Sequence, residues 1–255
     1  MVSSDDDDNY TESSSDGSGD TSSDDSSSDD KPIAKTRKRR SNDPSVSSIP
    51  AAPNGNRIGP LQTMMKESFN NALLSDITIF IKGLSFPAHS FVLAAQCDFF
   101  KKALTKANLK NQARTEFHYE EWQPHACWRM FEYLYKGDYS TGPVPGIKEL
   151  DEKTTQRHIL VYAVAEAFGL ESLQELATAR FSQCMKLEKI DESFVDCVRL
   201  VFKVTKTKQN MLRKEMMGII DQHSKTLWKV SGFRALVHDY GSFAVEFTAK
   251  LLEGR

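Results

Sequence analysis

Apolar side chains fall into two periodicities, both lying beyond residue 60. Residues 63–73 set Met64, Met65, Ser68, Phe69, Ala72 and Leu73 at i, i+1, i+4, i+5, i+8 and i+9, which predicts one helix face. Residues 76–81 are β-branched and aromatic, Lys82-Gly83 reads as a turn, and residues 84–88 read as the returning strand. Pro87 cannot donate to a ladder and so belongs at a strand end or edge. Residues 89–104 are helical in pattern, with Phe91, Val92, Leu93, Ala95, Phe99, Phe100 and Leu104 apolar. Residues 108–114 are polar and loop-like, and residues 115–119 alternate as a short strand does.

Helices dominate from there on. Pro124 suits a first helical turn, and Cys127, Met130, Phe131, Leu134 and Tyr135 form a stripe that ends at Gly137. Residues 140–154 are punctuated by Pro and Gly and predict a loop. Ile159, Leu160, Ala163, Val164, Ala167 and Phe168 make the next stripe, capped by Gly169, followed by Leu173, Leu176, Ala177, Phe181 and Cys184. Three or four further amphipathic stretches run to the end, marked by Phe194, Leu212, Phe233 and Phe243, with a break at Gly241. The predicted fold class is α+β, dominated by helix, with its few strands clustered early.

Composition divides the chain differently. Residues 1–30 hold 11 Ser, 10 Asp and one Glu, without Lys or Arg. Residues 1–60 carry 7 basic and 12 acidic residues, and residues 61–255 carry 26 and 23, so a chain of net charge −2 is an acidic segment joined to a slightly basic one. The acidic segment has too little apolar surface to offset the entropy of ordering, and it is expected to be disordered. Ser3, Ser4, Ser13, Thr21, Ser22, Ser26 and Ser27 each have an acid three residues later, a pattern an acid-directed kinase can use and one that Ser/Asp-rich composition also produces unaided. Lys35, Arg37, Lys38, Arg39 and Arg40 form a dense basic run, read either as a nuclear import signal or as a charged spacer. Import is the expectation, which places the protein in the nucleus as well as the cytoplasm. Pro44, Pro50, Pro53, Gly55, Gly59 and Pro60 then mark a linker.

The sequence offers little to chemistry. Cys97, Cys127, Cys184 and Cys197 contain no C-x-x-C and are too sparse for a disulfide framework. His118, His125 and Cys127 lie close in sequence, but i and i+2 positions on a helix face different ways and no fourth ligand stands nearby. Phosphate-binding, dinucleotide, zinc-protease and nucleophile-elbow motifs are missing. The expectation is no enzyme, no cofactor and no metal. No apolar run is long enough for a bilayer, and no zinc finger or basic amphipathic helix points to direct nucleic-acid contact. Glu120, Glu121, Asp151 and Glu152 read as solvated loop acids.

Residues 76–79, 86–95 and Phe99-Phe100, then 131–139 and 161–173, together form a pattern that resembles a BTB/POZ domain over roughly residues 64–185. The later helices resemble the short BTB-plus-helices proteins common in fungi. The resemblance implies a small three-stranded sheet packed with a helical cluster, and a protein–protein interaction module without cofactor. It implies three regions: 1–60 as tail and linker, 61–185 as the BTB/POZ domain, and 186–255 as a helical extension.

It also implies partners. Many family members homodimerise through the helix before the first strand and the helix after the hairpin. That assigns Met64, Met65, Phe69, Leu73, Phe91 and Val92 to a dimer interface. Other members hold a cullin scaffold through a hydrophobic-x-Glu signature; here Leu109 supplies the anchor, Asn111 replaces the Glu, and Tyr135 completes the expected surface. A transcription regulator is the further expected partner class. Asp76 and His89 are expected to be structural. Ser90 stands where BTB transcription regulators carry a cation that forms a charged pocket with the Asp.

Overall fold

The computed structural model describes residues 59–109, 115–207 and 209–253, excluding the side chains of 107–109. The phosphorylation candidates from Ser3 to Ser27, the basic run Lys35, Arg37, Lys38, Arg39 and Arg40, the side chain of Leu109, and Asn111 lie outside the described residues.

The chain opens with α1 (Pro60–Glu67), the hairpin β1 (Ile77–Ile81) and β2 (Leu84–Ala88), then α2 (Ser90–Gln96) and α3 (Asp98–Leu109). β3 (Glu116–Tyr119) and α4 (Pro124–Lys136) follow. Next come α5 (Thr154–Phe168), α6 (Glu171–Met185), α7 (Glu192–Val204), α8 (Met211–Leu227), α9 (Ser231–Asp239) and α10 (Gly241–Glu253).

The three strands form one sheet in the order β2-β1-β3. β2 pairs antiparallel with β1, Ile79 opposite Phe86, and β3 pairs parallel with β1, Ile79 opposite Phe117. The two-residue turn works because Gly83 takes φ 74°, where a Cβ would clash with the backbone. Ile77, Ile79 and Ile81 all point inward, as the period of two requires. β3 joins β1 only after α2 and α3 have crossed over, which is what parallel pairing demands.

Beneath the sheet lies α4, nearly every residue of which is buried. Gln123 caps its start by accepting the Ala126 N–H at 2.6 Å, Pro124 occupies the first turn, and Gly137 ends it in the left-handed conformation. α5 packs on α4 and α6, α7 packs on α5, and α8 packs on α6. A continuous apolar core therefore runs from Ile77 through Phe131, Ile159 and Phe194 to Phe247. The BTB/POZ-like fold of small sheet and helical cluster is present, and the helices after Met185 are built onto it through shared core.

Three expectations are corrected. The helix expected over 63–73 ends at Glu67, because the Ser68 hydroxyl donates back to the Met64 carbonyl at 2.7 Å and Asn70 turns left-handed at φ 55°. The helix expected over 89–104 is two, broken at Cys97, which is extended at φ −145° and places its thiol 3.5 Å from the Phe168 carbonyl. Asp151 is not a solvated loop acid. It accepts from Arg129 at 3.1 and 2.5 Å and pairs with Arg157 at 2.8 Å. Those guanidiniums hold its carboxyl below the usual range against the opposing effect of burial.

That pairing belongs to a polar clamp holding the loop after α4. Arg129, 1% exposed, also donates to the carbonyls of Ser140 and Gly142 at 2.9 and 3.0 Å. Glu132 accepts from the Ser140 N–H and hydroxyl, both at 2.8 Å. His158 meets the Tyr139 hydroxyl at 2.8 Å, and Arg180 lies over the Tyr139 ring. Another buried pair ties the last helices down: Arg213 on α8 holds Glu246 on α10 at 3.0 and 2.7 Å and stacks on Phe202.

Candidate functional site

The segment joining α1 to β1, with α2 beside it, encloses a groove of about 310 Å³. Its making begins with two asparagines. Asn71 accepts the Leu73 N–H on its side-chain oxygen at 3.0 Å, an Asx turn that reverses the chain just after left-handed Asn70. Leu74 is then left-handed as well, at φ 63°, a conformation costing a bulky side chain about 1–2 kcal/mol. The turn thus presents Leu73 and Leu74 together, 71% and 72% exposed.

The floor is a closed hydrogen-bond chain. The His89 N–H donates to the Tyr135 hydroxyl at 2.8 Å, and the two His89 ring nitrogens lie 3.0 Å from that hydroxyl and 2.9 Å from the Leu73 carbonyl. Since the Tyr135 oxygen already accepts from the backbone, its own proton goes to Nδ1, which leaves the Nε2 proton for Leu73. His89 therefore pins the strained turn to α4. Burial pushes the Tyr135 phenol up to about 12, so it remains a donor at neutral pH. Asp76 accepts the N–H of Ser90 at 2.7 Å and also the Ser90 hydroxyl, which anchors the start of α2. Both residues are structural, as expected, and Ser90 supplies a neutral partner where a cation would have been.

The expected interface residues divide sharply. Met64, Leu73 and Phe91 are exposed along the groove, and Met65 lines it half-buried. Val92 is 3% exposed and reaches the groove only from below. Phe69 turns inward instead, its ring 4.9 Å from Trp128, 5.5 Å from Tyr135 and 6.1 Å from Phe86, with Lys136 over it. Ending α1 at Glu67 is what swings Phe69 off the helical stripe and into the core. A charge placed there would damage the fold rather than probe an interface. Tyr135, expected on a cullin-facing surface, is 3% exposed and serves the groove floor.

Two rim residues escaped the sequence reading. Leu61 lies in the first turn of α1, before the periodic window began, and Leu74 follows a turn whose geometry only the asparagines betray. Five large apolar side chains, Leu61, Met64, Leu73, Leu74 and Phe91, are thus each more than half exposed around one concavity. Isolated exposed leucines are ordinary; a contiguous apolar rim marks a contact surface.

Burial pushes the Cys127 and Cys197 thiols well up, the latter to about 12, which leaves them protonated and unreactive. Among the described residues no grouping of His, Cys, Asp and Glu is suited to a metal, and no helix is long and apolar enough to cross a membrane.

An Arabidopsis thaliana "ARM repeat protein interacting with ABF2" is 27% identical over 152 residues, covering 59% of this chain and 19% of the relative. Kelch-like protein 40 of Xenopus tropicalis is 25% identical over 146 residues, covering 55% of this chain and 22% of the relative. The matching region is thus about a fifth of the length of these curated relatives. Among solved structures, the BTB domain of zebrafish PATZ1 aligns with 48% of this chain and 89% of its own, at 14% identity and a TM-score of 0.37. The family model described as BTB/POZ domain matches residues 65–184. Those residues, which hold the end of α1, the sheet and the helices from α2 to α6, are a BTB/POZ domain, a protein–protein interaction module.

Proposed function

We propose that the protein acts without catalysis, by docking another polypeptide against the groove of α1, the α1–β1 turn and α2, and that in the absence of another partner a second copy of the chain fills it. The carrying observation is the rim itself: Leu61, Met64, Leu73, Leu74 and Phe91 are 65%, 52%, 71%, 72% and 66% exposed. A two-fold pair would bury the same rim on both subunits, which is how homodimers commonly close. Light scattering on the size-exclusion-purified chain tests this. A dimeric mass at micromolar concentration that falls to a monomer in Met64→Asp supports the reading. Met64 projects into solvent, so this substitution leaves the subunit folded, and an unchanged mass would refute it.

A cullin-scaffold adaptor is the second reading, favoured by the likeness to a Kelch-like protein. Burial of Tyr135 leaves it resting on Leu109 and Asn111. Failure of the wild-type chain to retain a cullin N-terminal region in a pull-down would remove it. Nuclear action, with a transcription regulator as partner, is supported by the basic run; replacing Lys38, Arg39 and Arg40 by Ala in a fluorescent fusion should move it to the cytoplasm, and an unaltered distribution would oppose it. Phosphorylation of the acidic tract would add charge to an already anionic segment, and an unshifted intact mass from native cells would oppose that.

A further inference from the structure

The groove is apolar at its rim but one-signed in charge. Glu67 and Asp76 line it, and among the described residues no lysine or arginine does. Asp76 accepts from the N–H and hydroxyl of Ser90 at the start of α2, whose helix dipole offsets part of its charge, but neither donor is a cation and its net charge stays negative. Glu67 sits exposed in the last turn of α1, where the negative end of the helix dipole adds to its field instead of offsetting it. Nearby cations do not help. Lys136 is held by Glu132 at 2.9 Å and by the Phe69 ring, and Lys66 lies on α1 outside the lining. His89, the remaining titratable group, is engaged through both ring nitrogens.

A symmetric pair sets the same patch against itself. Two copies closing through this groove would gather four carboxylates into one apolar contact and, among the described residues, bring no lining lysine or arginine to meet them. Resting on the reading that this groove is the pairing surface, we infer that it favours a different polypeptide, one that presents Lys or Arg beside its apolar side chains, over a second copy of this chain. Like charges brought together oppose association, whereas a cation turns the same carboxylates into acceptors of charge-assisted hydrogen bonds. Self-association is then the weaker, exchangeable state.

The test uses the full chain. Glu67→Gln together with Asp76→Asn removes the charge while keeping shape and the capping of Ser90, and should self-associate roughly two- to fivefold more tightly in sedimentation equilibrium. Wild type mixed with Glu67→Lys should give a mixed pair above its statistical share by native mass spectrometry. A neutralised variant that associates no more tightly, or a mixture at or below the statistical share, overturns the inference. Neither result touches the choice of groove, which stands or falls on Met64→Asp separately.

Discussion

Mild acid should loosen this protein through one histidine. His158 on α5 is 2% exposed, with Nδ1 2.8 Å from the Tyr139 hydroxyl. Burial first, and then the charges of Arg180, Arg129 and Arg157, push its pKa from 6.5 down to about 4. In the unfolded chain the imidazole takes a proton near its ordinary value, while in the folded chain it stays neutral until far lower pH. Its contribution is therefore complete above about pH 6.5, is lost as pH falls toward 4, and is gone below. The full depression corresponds to about 3 kcal/mol, of which about 2 disappears between pH 7 and pH 5. Urea unfolding followed by circular dichroism at pH 7, 6 and 5, at one protein concentration, should show wild type losing about 2 kcal/mol more than His158→Gln over that interval. His125, also lowered by burial, is present in both proteins and cancels; Asp151 and Glu132 have lowered pKa values and titrate beneath the interval. Parallel losses in the two proteins would refute the assignment.

Arg213→Met should destabilise the chain by about 3–5 kcal/mol, because it leaves Glu246, 10% exposed, as an unpaired buried carboxylate. Adding Glu246→Leu should recover most of that loss in thermal unfolding, and a double variant as unstable as the single one would contradict the pairing. Tyr135→Phe deprives the His89 N–H of its acceptor and Nδ1 of its donor, and should cost about 1–3 kcal/mol. With His89 loosened, amide exchange over residues 71–76 should accelerate, and unchanged exchange there would disprove the floor network.

Local signals carried much of the fold into the sequence. Alternating isoleucines fixed β1, Lys82-Gly83 fixed the hairpin, and Pro124 with Gly137 bounded α4 at both ends. What stayed illegible depended on where side chains meet after folding. Nothing in the stripe at 63–73 distinguishes inward Phe69 from outward Met64; the end of α1 at Glu67 decides it. Phe91 and Val92 are neighbours of similar apolarity, yet 66% and 3% exposed, since successive side chains point about 100° apart around the α2 axis, Val92 toward the core and Phe91 away from it. Asp151 read as a loop acid because its partner Arg129 lies 22 residues away on a helix that otherwise looked wholly apolar in its buried face. The groove was half visible: its helices and Leu73 were expected, while Leu74 on the rim and the His89–Tyr135 floor required tertiary closure.

The most direct test of the groove as docking surface is hydrogen–deuterium exchange on the full chain, alone across a dilution series and then with a captured partner. Amides of α1, residues 71–76 and α2 should become protected as association proceeds, while α8 to α10 stay unchanged. Protection confined to those last helices, with the groove exchanging as freely as before, would contradict the account.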